Sequence, residues 1–260
     1  LLTTIRLITT SIKIAKYKTA SFLIRINTGL FYFVLVISCF VNWDMFITNY
    51  NIKHSGKVSK DYLVMLSETN LPELFKLEKE DVKLMKSVIG DSVTDAQRYY
   101  EGQLGTKLFE FMKQDKQMDW RSWNYDHSQV KNDLIDLNSR SEIPRVRLVE
   151  KGLYDLNVIK EFWNLTDLDV QSNYIRSVSE IKFFPGLVKL DLSWNRISRL
   201  EGIDNLQKLE YLNLRGNPIT DYSPLLKLNN LKELHLPINI SNAQVDSLKL
   251  RFPDLILVKY

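Results

Sequence analysis

The sequence predicts an α/β solenoid, a curved stack of short strands in one parallel sheet, preceded by a small helical segment and a transmembrane helix. Three observations predict it. Between Leu165 and Asn217 one pattern is written three times: Leu165-x-x-Leu168-x-Val170-x-x-Asn173, Leu187-x-x-Leu190-x-Leu192-x-x-Asn195 and Leu209-x-x-Leu212-x-Leu214-x-x-Asn217, with the asparagines 22 residues apart. A fixed period of that length is the mark of one coil stacked on copies of itself. After each asparagine the apolar residues recur at every third position, and residues 26–43 carry no charge.

Taken from its start, the chain opens with a basic segment, residues 1–25, that holds Arg6, Lys13, Lys16, Lys18 and Arg25 and no acid. With Leu1 as its first residue, the chain is expected to be a fragment of a longer protein, and Leu1–Ile12 reads as the tail of an earlier membrane helix. The eighteen uncharged residues 26–43 that follow are about the minimum that spans a bilayer core. A cleaved signal peptide is the rival reading, weakened by the long basic lead and by the absence of a small-x-small cleavage site. A buried soluble helix is the third. By the positive-inside rule the basic segment stays in the cytoplasm and the repeats lie outside, in the periplasm if the cell is Gram-negative.

Residues 44–142 read as a helical neck. Tyr62, Leu63, Leu66, Leu71, Leu74 and Phe75 form one apolar set, Val82, Leu84, Met85, Val88 and Ile89 a second, and Tyr99, Leu104, Leu108, Phe109 and Met112 a third. Asp91 or Ser92 is expected to open the third helix, and Gly102 and Gly105 to break it. The cluster Asp119-Trp120-Arg121-Ser122-Trp123-Asn124-Tyr125 is expected to pin the neck to the first coil. Asn42-Trp43-Asp44, Ile47 and Tyr50-Asn51-Ile52, with Asp61-Tyr62-Leu63, Leu66-Ser67 and Asn70-Leu71-Pro72, are similar to the C-terminal end of a bacterial multi-pass membrane family of unknown function. The resemblance covers residues 20–125 and brings no catalytic residues with it.

From residue 143 the 22-residue register takes over. Ile143, Val146, Leu148, Leu153, Leu156, Ile159 and Phe162 keep its apolar positions in a worn first coil, where Lys151 replaces the asparagine. A three-residue spacing on the return path fits 3₁₀ turns better than an α-helix. The chain turning at each strand end leaves backbone groups unpaired, and a side-chain amide holds both donor and acceptor to satisfy them. Asn173, Asn195, Asn217 and Asn239 are therefore expected to form a structural ladder. Ser241–Tyr260 departs from the pattern and reads as a cap, a helix around Ala243–Arg251 and a last strand Asp254–Val258. Residues 143–260 resemble a leucine-rich repeat domain of the 22-residue class seen in bacterial internalins and in intracellular regulatory subunits. The resemblance implies a curved solenoid whose concave sheet binds proteins.

Strand positions that alternate with the core leucines face outward. They give the candidate partner-binding residues Asp167, Asp169, Lys189, Asp191, Tyr211, Asn213, Arg215, Glu233 and His235, with Trp194 just beyond. Tyr211 and Trp194 beside Arg215 are the residue types that anchor protein interfaces. The plain alternative is a solvated sheet face. The net charge of +4 is too small to argue for nucleic acid, and the single Cys39 excludes a disulfide framework and a thiolate metal site. The three histidines, His54, His127 and His235, fall in different segments. No phosphate loop, dinucleotide fingerprint, calcium loop or zinc spacing is present. The expectation is a membrane-anchored binding module without catalytic residues, cofactor or metal, the alternative being a regulatory domain of a larger multi-pass transporter or enzyme.

Overall fold

The computed structural model describes residues 28–34, 36, 43–54, 60–89, 95–117 and 125–259. The basic segment 1–25, half of the apolar run 26–43, Asp91 and Ser92, and the aromatic joint up to Asn124 lie outside them. Two compact units are present, Leu1–Phe46 and Ile47–Tyr260. In the first, residues 28–34 are helical, and the apolar side chains of Leu30, Phe31, Tyr32, Phe33 and Val34 are all exposed. Among the described residues no helix is long and apolar enough to cross a membrane. Helix α1, Trp43–His54, follows.

The second unit continues with α2 (Lys60–Met65), a 3₁₀ turn Glu68–Asn70, α3 (Leu71–Ile89), α4 (Asp95–Gln117) and α5 (Tyr125–Ser139). Leu63, Leu71, Leu74 and Phe75 of the first apolar set are buried, whereas Tyr62 is exposed. Asn70 secures the turn between α2 and α3, its Nδ2 donating to Thr48 Oγ1 of α1 at 3.0 Å and to the Leu63 carbonyl at 2.8 Å. Lys107 of α4 is buried with its ammonium on the carbonyls of Val64 and Leu66, the groups a helix C-terminus leaves unpaired. Helix α5 ends in a Schellman motif: Ser141 sits at φ 57°, its N–H bonds to Asn138 O, and Glu142 N–H reaches Leu137 O.

The expected break at Gly102 and Gly105 does not occur, since α4 runs unbroken through both. The reason is contact rather than conformation. A Cβ on Gly105 would stand 1.7 Å from the carbonyl oxygen of Arg147, so the missing side chain lets α4 lie against the backbone of β1. An edge strand left bare invites pairing with other chains, and α4 covers this one.

Strands β1 (Arg145–Arg147), β2 (Asp167–Asp169), β3 (Lys189–Asp191), β4 (Tyr211–Asn213), β5 (Glu233–Leu236) and β6 (Ile256–Lys259) form one sheet in sequence order, every pair parallel. The return paths contain 3₁₀ turns at Asn157–Ile159, Ser179–Phe183, Ile203–Asn205 and Ser223–Lys227. Every apolar position of the register from Ile143 to Leu236 is buried. The cap is α6, Asn242–Arg251, which opens on a capping box between Ser241 and Gln244, and then β6.

The asparagine ladder holds at three rungs. Asn195 Nδ2 donates to the carbonyls of Val170, Leu192 and Ser193, and its Oδ1 accepts from Ile175 N–H. Asn217 repeats this on Leu192, Leu214, Arg215 and Ile197, while Asn173 accepts from both Lys151 and Leu153 of the worn first coil. Asn239, expected as the fourth rung, is exposed and outside the ladder. The cause lies one residue earlier. That position is left-handed in Glu150, Ser172, Trp194 and Gly216, at φ 58°, 57°, 55° and 70°. In the fifth coil it is Ile238, whose branched Cβ disfavours that conformation, and Pro237 before it has no N–H to give. The turn that tucks the amide inward is not made.

Candidate functional site

The outward side chains of the sheet fall into two straight rows because the strand register is constant. Arg145, Asp167, Lys189, Tyr211 and Glu233 are Cα partners in succession, as are Arg147, Asp169, Asp191, Asn213 and His235. Over the first row's N-terminal end stand α3 and α4, contributing Phe75, Glu78, Arg98, Glu101 and Leu104. Between helices and strands runs a groove of about 970 Å³ whose floor includes Arg145, Arg147, Asp167, Asp169, Lys189 and Tyr211.

The charges on this floor differ in how far they are engaged. Arg145 bridges Glu101 of α4 at 3.5 Å and Asp167 at 3.8 Å, and Arg147 pairs with Asp169 at 3.2 Å. Three members of the second row also do structural work. Asp169 Oδ1 accepts the N–H of Gln171, Asp191 Oδ1 that of Ser193, and Asn213 Oδ1 that of Arg215, each closing the turn at its strand's end. Asn213 Nδ2 ties back to Asp191 Oδ2 at 2.9 Å, and His235 Nε2 meets Glu233 Oε1 at 2.7 Å. Lys189 is the contrast: exposed, mid-floor, and without an ion pair among the described residues.

Burial, then the neighbouring Asp191 carboxylate, push the Asp169 carboxyl above its ordinary range, against the pull of the Gln171 N–H and Arg147. Burial, reinforced by Asp191 and Glu233, raises the Tyr211 phenol to about 12, so it stays a neutral donor at physiological pH. Its ring lies 5.4 Å from that of His235, at an angle of 51°. Among the described residues no three His, Cys, Asp or Glu side chains gather as a metal site.

Of the ten residues expected to bind a partner, the structure brings eight together. Asp167, Asp169, Lys189, Asp191, Tyr211 and Glu233 line the groove, with Asn213 and His235 held against it. Trp194 and Arg215 stand apart, paired with each other at 5.1 Å. Sequence reasoning missed the helical wall, Glu101 and Arg98 above all. The one signal for it was Gly105, a glycine inside a helical pattern that marks a close backbone approach as often as a break.

The family model for leucine rich repeat matches residues 164–219, and that for a domain of unknown function, DUF4153, matches residues 1–77. No curated protein matches the chain. Among solved structures the chain is similar to an internalin from Listeria monocytogenes, at 21% identity over 58% of this chain and 41% of that one, with a TM-score of 0.45. An LRR protein from Leptospira interrogans is 27% identical over 38% of this chain and 26% of its own, with a TM-score of 0.36. Internalin C2 from Listeria monocytogenes is 21% identical over 49% and 73%, with a TM-score of 0.30. The chain thus spans less than half the length of the first two. The repeated sequence pattern, the single parallel register, the buried asparagine rungs and the family match together identify residues 143–259 as a leucine-rich repeat domain, on a chain whose residues 1–77 match DUF4153.

Proposed function

We propose that this protein is a membrane-anchored interaction module that captures a partner protein in the groove between α4 and the concave face of its repeats. Lys189 is the observation that carries the reading. A cation that is exposed and has no ion-pair partner among the described residues, set on the sheet beside the half-buried ring of Tyr211, is a preformed contact for a carboxylate flanked by an apolar side chain. The Arg145, Arg147, Asp167 and Asp169 end of the floor is engaged with its own neighbours, so its role is to hold the shape of the groove. Binding is the reading, because the floor offers charged and aromatic contacts along a groove walled by helices. Joint replacement of Lys189 and Tyr211 by alanine then abolishes capture of a partner from detergent extracts of membranes while the thermal midpoint stays put. Capture that survives the pair contradicts the groove.

Attachment to a membrane through residues 26–43 is supported by the basic flank of that uncharged run. The exposure of every described apolar side chain in its helical part also supports it, since a helix apolar on all sides needs a nonaqueous surround. The repeat domain is then extracytoplasmic. Digestion from outside of a tag placed after Tyr260, in intact cells or spheroplasts, is the expected result; protection reverses the orientation. A second reading, a regulatory domain of a larger multi-pass transporter or enzyme, draws on the DUF4153 match over residues 1–77. Several further hydrophobic spans upstream in the open reading frame would favour it.

A further inference from the structure

Trp194 and Arg215, the two residues that stand apart from the groove, belong to a surface of their own on the flank where the strands exit. A bulky residue in the left-handed region is an outlier. Trp194 is accommodated there by the glycine in the same position of the next coil: a Cβ on Gly216 would lie 2.5 Å from the indole ring. The ring therefore rests on the Gly216 backbone, half exposed, with the Arg215 guanidinium 5.1 Å from its centre. Alongside, the Arg196 guanidinium lies 4.6 Å from the centre of the Tyr174 ring, and Tyr174 is 5.6 Å from Tyr154. All three aromatic residues are exposed.

Backbone rungs fix this flank. Tyr174 N–H donates to Leu153 O at 2.8 Å, Arg196 N–H to Ile175 O at 2.9 Å and Trp194 N–H to Arg215 O at 2.7 Å. A surface already ordered loses little entropy on binding. Its charge is positive: Arg176 and Arg196 make no ion pair among the described residues, whereas nearby Arg199 pairs with Glu201 at 3.6 Å. A guanidinium is a planar fork of N–H donors that takes a carboxylate through two parallel bonds while its face rests on a ring. Glu150 and Asp155 interrupt the positive charge at the first-coil end, which disfavours a continuous phosphate backbone.

We propose that this flank binds an extended acidic segment of a partner protein, its carboxylates on Arg196 and Arg215 and its apolar side chains on Tyr174 and Trp194. The proposal rests on the reading of the repeats as a protein-binding domain and adds to it a second surface with its own chemistry. The test uses the full chain in detergent and a bead-displayed library of random nonapeptides. Three proteins are compared: wild type, the flank variant Arg196→Gln/Arg215→Gln and the groove variant Lys189→Ala/Tyr211→Ala. Wild type is expected to retain peptides enriched in Asp and Glu. The flank variant, melting at the wild-type temperature, holds them about tenfold more weakly, the scale set by two solvent-exposed ion pairs. The groove variant, lacking the carboxylate contact at Lys189, still retains peptides enriched in Asp and Glu through the flank. Retained peptides no more acidic than the input, or equal binding by the flank variant, overturn the proposal. Loss in the groove variant alone overturns it while leaving the groove reading intact. Displacement by heparin or single-stranded DNA as readily as by free peptide overturns the choice of a protein segment.

Discussion

Replacing Asn195 by alanine removes the middle rung of the ladder. The carbonyls of Leu192 and Ser193 in its own coil, the carbonyl of Val170 and the N–H of Ile175 in the coil before all lose a partner. Asn195 is 6% exposed, so water replaces little of what is lost. Each buried group left unpaired costs about 1–3 kcal/mol. Two N–H groups shared among three carbonyls, together with relaxation around the deleted amide, bring the expected total to about 2–4 kcal/mol, several-fold the effect of an ordinary surface change. Urea unfolding followed by far-UV circular dichroism reads this as a lowered midpoint at constant slope. In a thermal scan the same loss corresponds to about 5–15 °C for a domain of this size. Asn239→Ala is the internal control. The same residue type at the same register position is exposed there, and the change is expected to stay within about 0.5 kcal/mol. Equal losses in the two variants, or none in either, would refute the claim that burial of the amide, set by the left-handed residue before it, makes the rung.

Three further outcomes are expected. Gly105→Ala drives a methyl into the Arg147 carbonyl and should destabilise by about 1–3 kcal/mol, despite alanine's better helix propensity, as a thermal melt would show. Asp169 holds its proton more tightly folded than unfolded, so its contribution to stability falls as pH rises from the ordinary value of 3.8 through the raised folded one. Asp169→Asn keeps the acceptor for Gln171 and should flatten that slope, with wild type losing ground to the variant as pH climbs through the window; parallel stability curves would contradict the shift. Ser241→Ala removes the N-cap of α6 and should cost about 1 kcal/mol in urea unfolding, a neutral result counting against the capping box.

The repeats were legible because a constant period fixes everything that depends on register. Once Leu168, Leu190 and Leu212 are aligned, their neighbours fall into rows, and the structure pairs Asp167, Lys189 and Tyr211 as the alignment requires. Features set by contacts across the fold were not legible. Gly105 reads as a helix breaker until the carbonyl of Arg147 is placed against it. Arg215 alternates correctly for the concave face, yet its side chain turns to the indole of Trp194. Phe111, fully buried in α4, lies outside the apolar set chosen for that helix because hydrophobic residues occur on both sides of it. The failed fourth rung had a local signal that only conformation explains: Ile238 occupies a position that every earlier coil turns left-handed.

Photo-crosslinking in cells from a benzoylphenylalanine at Tyr211 traps whatever protein touches the groove floor. A discrete protein adduct in the membrane fraction is expected, absent when the same probe stands at Phe183, exposed on a 3₁₀ return path. No adduct at Tyr211, or the same adduct from both positions, would contradict a partner-binding concave face.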